Sequence, residues 1–344
     1  MIRETALVTG GAGFIGSELT AQLAAAGHRV VVLDSLVTGR RENLDGLPAD
    51  RVRLVVGDVR DCDAVTSVLR DVSIVFHLAC VNLRRAFVAP REANDVNATA
   101  TLDLLIAARA AGVARFVHVS SSEVYGTACA ATMSEDHPTR PTTTYGASKL
   151  AGEAYARAFF ATHSFPTVVV RPFNSFGPRA HHEGTSGEVV PRFLLRALAG
   201  RELVVFGDGQ QTRDFTYVTD TARGILLAGH IQAAAGRTVN IGTGRETSVR
   251  MLAEHVAAAA DRPDVAVVHA DARPGDVSRQ CADTALAGHL LGFTSDVTLE
   301  QGLRRLVEWY RVQGVSAGQL LEDEVLRSWE TSGGTEAGSV AVRS

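Results

Sequence analysis

Thr9-Gly10-Gly11-Ala12-Gly13-Phe14-Ile15-Gly16 decides the reading of this chain. A short apolar run, Ala6-Leu7-Val8, precedes it, and an alanine-rich stretch with helical spacing, Gly16 to Ala26, follows. A strand, a glycine turn and a helix in that order bring backbone N–H groups close to a pyrophosphate on the helix N-terminus. Glycines 10, 13 and 16 have the spacing such a turn needs, and the flanking pattern separates it from an ordinary glycine-rich loop. A second β-rich run, Arg29 to Leu33, ends at Asp34. A carboxylate there accepts hydrogen bonds from a ribose diol and repels a 2′-phosphate, which favours NAD. Arg40 and Arg41 close by leave NADP as the alternative.

Working outward, Val52 to Val56, Ile74 to Leu78, Phe116 to Val119 and Thr167 to Val170 read as further strands, with helical stretches between, notably Asp95 to Ala111. Such alternation implies an α/β fold, a doubly wound parallel sheet covered on both faces. Asp58 ends the third run, where it either meets an adenine amino group or caps the next helix. Beyond Pro172 the texture loosens. Segment 177–188 reads as a loop, Val190 to Leu198 as a helix, Leu203 to Phe206 as strand-like, and Asp271 to Gly275 as another loop. We expect a Rossmann domain over 1–172 with return segments near 213–245, a smaller α/β substrate domain over 173–330, and a disordered tail over 331–344.

The composition is that of a folded globular protein: 344 residues, 46% hydrophobic, 21% charged and a net charge of −4. That balance gives no reason to expect nucleic acid or an anionic membrane as partner. No apolar run approaches the roughly 20 residues of a spanning helix. The N-terminus lacks a secretory h-region, so a cytoplasmic location is expected. Cys62, Cys80, Cys129 and Cys281 are scattered and suggest neither disulfides nor zinc.

Tyr145-Gly-Ala-Ser-Lys149 puts a phenol and an ammonium on one helical face, where the cation is expected to lower the phenol pKa. Ser121 sits at the end of the fifth strand, where ligands bind in such sheets. Its hydroxyl either shares the substrate proton or caps the strand end. With TGGAGFIG, VVGDVRD (55–61), HLA (77–79), SSSEVYG (120–126), YGASK, RPFNSFGPR (171–179), QTRDFTYV (211–218) and RPGD (273–276), the chain resembles the nucleotide-sugar epimerases and dehydratases of the extended short-chain dehydrogenase/reductase family over residues 4–312.

The resemblance implies tightly bound NAD, a nucleotide-diphosphate sugar substrate and a catalytic set of Ser121, Tyr145 and Lys149, with Glu123 beside them. It implies cofactor contacts from Gly10, Gly13, Phe14, Ile15, Gly16, Asp34, Asp58, Val59, Leu78, Ala79, Tyr145, Lys149 and Pro172. Substrate contacts fall to Ser122, Asn174, Arg192, Phe206, Arg213, Arg273 and Asp276. It also implies a homodimer through helices 95–111 and 146–163. Two stretches depart from the family: Asp95-Val96-Asn97-Ala98-Thr99 replaces the usual NVxGT, and Cys80 to Ala86 lacks the proline-rich pattern of UDP-glucuronate decarboxylases.

In these enzymes the tyrosine takes the sugar 4-hydroxyl proton as the C4 hydride leaves for NAD. The resulting 4-keto sugar is then turned over, decarboxylated or dehydrated. Glu123 matches the dehydratase base, a position that decarboxylases resemble and that many epimerases also fill with Glu. Ser122 stands where dTDP-glucose dehydratases carry an aspartic acid, and serine is a poor proton donor. A UDP-sugar 4-epimerase, with a UDP-uronic acid as one substrate, is therefore favoured over a dehydratase or decarboxylase. A net 4-ketoreductase and a non-catalytic nucleotide sensor are the remaining readings. Arg84, Arg85 and Arg192 are each candidates to meet a carboxylate, though a solvated surface arginine is the simpler reading for any one of them. His181-His182-Glu183 has no third ligand at sensible spacing and reads as a mobile lid, not a metal site.

Overall fold

The computed structural model describes residues 4–327 and 329; the tail expected over 331–344 lies outside them. Valine-rich runs that cannot expose both faces become the centre of the molecule. These are β1 (Thr5–Thr9), β2 (Arg29–Asp34), β3 (Val52–Val56), β4 (Ile74–His77), β5 (Arg115–Val119) and β6 (Thr167–Pro172). With Thr238–Ile241 they form a seven-stranded parallel sheet, ordered 238–241, β6, β5, β4, β1, β2, β3. The order reverses between β1 and β4, which opens a crevice at their carboxyl ends. The seventh strand lies within the 213–245 segment expected to return to the sheet.

The first six helices are α1 (Phe14–Ala25), α2 (Cys62–Val68), α3 (Leu83–Val88), α4 (Pro90–Asn94), α5 (Ala100–Ala110) and α6 (Thr144–His163). One apolar core joins the sheet to α1 and to the helix Val218–His230. A second joins its other face to α2, α5 and α6. A third core lies apart, where the helices Val189–Leu198, Val249–Ala259 and Leu299–Arg311 cover the two-stranded ribbon Leu203–Phe206 and Val267–Ala270. No described helix is long and apolar enough to cross a membrane.

The helix expected over 95–111 is not continuous α-helix. Asp95–Thr99 winds as a π turn before α5 begins. Buried Asn97 explains the distortion. Its Oδ1 accepts from Val81 N–H at 2.8 Å, and its Nδ2 donates to Val81 C=O and Ser148 Oγ, both at 3.0 Å. The side chain thus ties three segments together, and the backbone widens to allow it.

Two histidines lie inside the sheet, His77 and His118, both without exposure. His77 sits between Thr9 Oγ1 at 2.7 Å and Thr101 Oγ1 at 2.9 Å. Burial, reinforced by the Lys149 ammonium, lowers its pKa to about 3, and burial holds His118 well below its ordinary value. Each is neutral in the fold yet would take a proton in the unfolded chain near pH 6.5. Stability is therefore full above that pH and falls as the pH drops below it. His77 alone should cost about 2 kcal/mol between pH 7 and pH 5. A denaturant midpoint that does not fall over that range would contradict this.

Candidate active site

The glycine turn is built for close approach. Gly10 has φ +70°, and a Cβ there would stand 2.7 Å from the Ala79 backbone nitrogen. Gly13 occupies the N-cap of α1 with no side-chain cap, so the first N–H groups of the helix remain free to meet an anion. At the end of β2 the Asp34 carboxylate accepts from Ala12 N–H and Leu36 N–H, both at 2.9 Å. It is fixed against the turn.

Arg40 does not stand ready for a 2′-phosphate: its guanidinium pairs with Glu183. Arg41 starts a 3₁₀ turn, Arg41–Leu44, and does not border the cleft. Of the two readings of Asp58, the cap belongs to Asp61, whose Oδ1 accepts from Asp63 N–H and Ala64 N–H. Asp58 borders the cleft and is held by Arg60 through contacts of 2.9 and 2.6 Å.

Ser121 follows β5 and Tyr145 lies in the first turn of α6. Gly146 allows the two to meet, since a Cβ there would be 2.6 Å from the Glu123 carbonyl oxygen. Thr143 caps α6 by accepting from Gly146 N–H at 3.1 Å. Ser121 Oγ accepts from Glu123 N–H at 3.2 Å, and Ser121 borders the same cavity as Tyr145. The capping reading holds.

The phenol itself departs from expectation. Burial raises its pKa, nearby Cys80, Glu123 and Glu188 raise it further, and Ser121 acts the other way. Lys149, on the same helix, is 2% exposed. Spacing on a helix placed the ammonium on the right face, but the low dielectric around the phenol outweighs it. Burial also pulls the Lys149 ammonium down, against Cys80 and Glu153.

Glu123 faces the other half of the cleft. Burial raises its pKa, opposed by Arg213, Arg273 and Gln280. Ser122 is 3% exposed, and its Oγ contacts Gln280 Oε1 at 3.4 Å. Asp276 gathers Arg213 at 2.7 Å and Arg273 at 2.5 Å. Asn174 Oδ1 is buried without a hydrogen-bond partner among the described residues.

The three candidate arginines separate. Arg85 is engaged by Glu92 at 2.8 and 3.0 Å. Arg192 is not a solvated surface residue: it is 5% exposed and donates to Gly184 C=O at 2.5 Å, with its Nε unpartnered. Arg84 borders the cleft without a hydrogen bond to any described residue, and burial with neighbouring Arg192 and Arg273 lowers its pKa to about 9. His181 borders the cleft, His182 is 9% exposed, and Glu183 is taken up by Arg40. The described His and acidic groups whose ligand atoms converge within 4.8 Å are instead Glu4, His28 and His230.

Two residues escaped the sequence reading. Glu188 borders the cleft beside Arg84, its pKa raised by burial to about 7. Gln280 bonds Ser122 twice from a distant segment, accepting from its Oγ at 3.4 Å and donating to its C=O at 3.3 Å. Neither belongs to a local motif. Every residue expected to touch cofactor or substrate borders one cavity of about 450 Å³, Phe206 and Cys80 included.

The profile of the NAD dependent epimerase/dehydratase family matches residues 6–242. The chain is 40% identical over 310 residues to a UDP-glucose 4-epimerase of Mycolicibacterium smegmatis, covering 89% of this chain and 98% of that one. A UDP-glucose 4-epimerase of Thermotoga maritima, solved with UDP-glucose, superposes with a TM-score of 0.84 at 32% identity, covering 89% of this chain and 98% of the other. A double mutant of a dTDP-glucose 4,6-dehydratase from Streptomyces venezuelae, solved with NAD, superposes equally well, with a TM-score of 0.84 at 34% identity over 90% of this chain and 97% of the other. A glycine turn at the switch point, an aspartate closing β2 and the Ser121, Tyr145 and Lys149 side chains at one crevice agree with these likenesses: the chain belongs to the NAD dependent epimerase/dehydratase family.

Proposed function

We propose that this protein is a 4-epimerase of UDP-sugars, UDP-glucuronate among them, acting through a transient 4-keto sugar. The observation that carries this reading is Ser121, Tyr145 and Lys149 bordering one cavity with no acid at 122. Tyr145 takes the 4-hydroxyl proton, and Ser121 hydrogen-bonds to the same oxygen. The uncapped turn before α1 fits the pyrophosphate of NAD and fixed Asp34 fits its adenosine ribose diol; Lys149, which borders the same cavity, is assigned to the second ribose. NAD when bound accepts the C4 hydride and gives it back. Returning hydrogen to the opposite face of the ring needs no further acid. Expelling the 6-hydroxyl needs one, and Ser122 turns its hydroxyl to Gln280.

Arg213 and Arg273, gathered by Asp276, suit a diphosphate. Arg84 supports a uronate, because it borders the cavity with no hydrogen bond to any described residue and Glu188 is the first of the carboxylates acting on it. A second reading, dehydratase or decarboxylase, is favoured by Glu123, whose raised pKa suits a base for the C5 proton. Ile106 on α5 is 53% exposed and Phe160 on α6 is 38% exposed. They support a homodimer through these helices, which a monomeric mass in light scattering would remove.

The test is incubation with UDP-glucose, UDP-glucuronate and UDP-N-acetylglucosamine, followed by proton NMR. The 4-epimer of at least one is expected, with UDP-glucuronate turned over. Carbon dioxide release or a 6-deoxy-4-keto product would overturn the epimerase reading.

A further inference from the structure

The segment after the last long helix comes back to the cavity. Leu321 is 3% exposed in the third core, packed with the helix Val189–Leu198. Glu324 then pairs with Arg196 at 2.6 Å, the side chains 6% and 12% exposed. Arg327 reaches Asp271 at 3.2 Å. Between and beyond these anchors, Leu326 and Trp329 border the cavity. The Trp329 ring meets Phe206 with centroids 4.8 Å apart and planes at 81°.

Phe206 borders the same cavity as Arg213 and Arg273. Gln211 Nε2 donates to its carbonyl oxygen at 2.7 Å, two residues before Arg213. The two rings therefore form an aromatic corner in the same cavity as the arginines suited to a diphosphate. A flat π system attached to a diphosphate would rest on one ring and touch the other.

We propose that Trp329 is a specificity-determining residue: it supplies a second aromatic wall, against Phe206, for the pyrimidine base of a nucleoside diphosphate, and follows a stretch anchored through Leu321, Glu324 and Arg327. The proposal rests on the nucleotide-sugar reading above. The ion pair of Glu324 with Arg196 is the hinge point that holds the wall in place, since neither charge can leave it without being stranded in a mostly buried site.

The test is titration calorimetry of UDP and dTDP into the full chain, its Trp329→Ala variant and its Trp329→Phe variant. Trp329→Ala should weaken UDP by about 5- to 100-fold, with Trp329→Phe recovering part of the loss. In turnover, KM should rise while kcat at saturation stays within about twofold. Fluorescence gives an independent readout, because Trp309 is the only other tryptophan. UDP should change the emission of the wild-type chain and leave that of Trp329→Ala nearly unaltered. UDP binding by Trp329→Ala within twofold of wild type would overturn the proposal alone. Tighter binding would also overturn it, by placing Trp329 in the seat of the base as an inhibitor. A wild-type chain that binds neither UDP nor dTDP would overturn the nucleotide-sugar reading itself.

Discussion

Tyr145→Phe should lower kcat by about 10²- to 10⁴-fold while the fold and cofactor binding persist. The substitution removes one oxygen atom from a residue that borders the cavity. Phenylalanine fills the same space against the second core, so the packing of α6 on it is kept. What disappears is the acceptor for the 4-hydroxyl proton, and neither neighbour can replace it. Ser121 is weakly basic, and Lys149 lies on α6 as a buried cation. Because burial and nearby carboxylates raise the phenol pKa, wild-type turnover should climb with pH through the neutral range. Steady-state rates by NMR and a thermal shift with NAD check both parts. Turnover above a tenth of wild type would remove Tyr145 from the role of base.

Arg171→Met should destabilise the protein by about 3–5 kcal/mol. The Glu153 side chain has no exposure, and its two oxygens accept from Arg171 Nε at 2.9 Å and Nη2 at 2.7 Å. Arg171 also donates to Tyr125 Oη at 2.8 Å and Glu135 C=O at 3.0 Å, and it lies over the Tyr125 ring at 4.6 Å. Removing the guanidinium leaves a buried carboxylate with only the half-exposed Arg157 at 2.8 Å. Glu153 stands two turns beyond Tyr145 on α6, so the same network fixes the helix that carries the base against β6. The double variant Arg171→Met/Glu153→Met should recover much of the loss, since it strands no charge. Denaturant unfolding measures both, and a loss below about 1 kcal/mol for the single variant would contradict this account.

The parts of the fold written in local pattern were legible. Six valine-rich runs ended within a residue or two of their strands, and the glycine turn fell between β1 and α1 as its spacing required. Thr238–Ile241 was not read as a strand, being four residues between loops, and only pairing with β6 defines it. The π turn at Asp95–Thr99 was hidden because its cause, Asn97, bonds residues far along the chain. The site divides the same way. Tyr145 and Lys149 were visible because a helix sets their spacing. Glu188 and Trp329 reach the cavity, and Gln280 reaches Ser122 behind it, through tertiary folding that no local period encodes. The direction of the Tyr145 shift was misjudged because helical spacing reports a neighbouring charge but not the burial that opposes it.

The central claim is that the sugar keeps all its carbon-bound hydrogens except for the C4 hydride, which leaves and returns. Proton NMR of the reaction run in D₂O tests it most directly. The account predicts the C4 epimer with no solvent deuterium in the ring. Deuterium at C5 of the product would contradict it and assign Glu123 the role of a dehydratase or decarboxylase base.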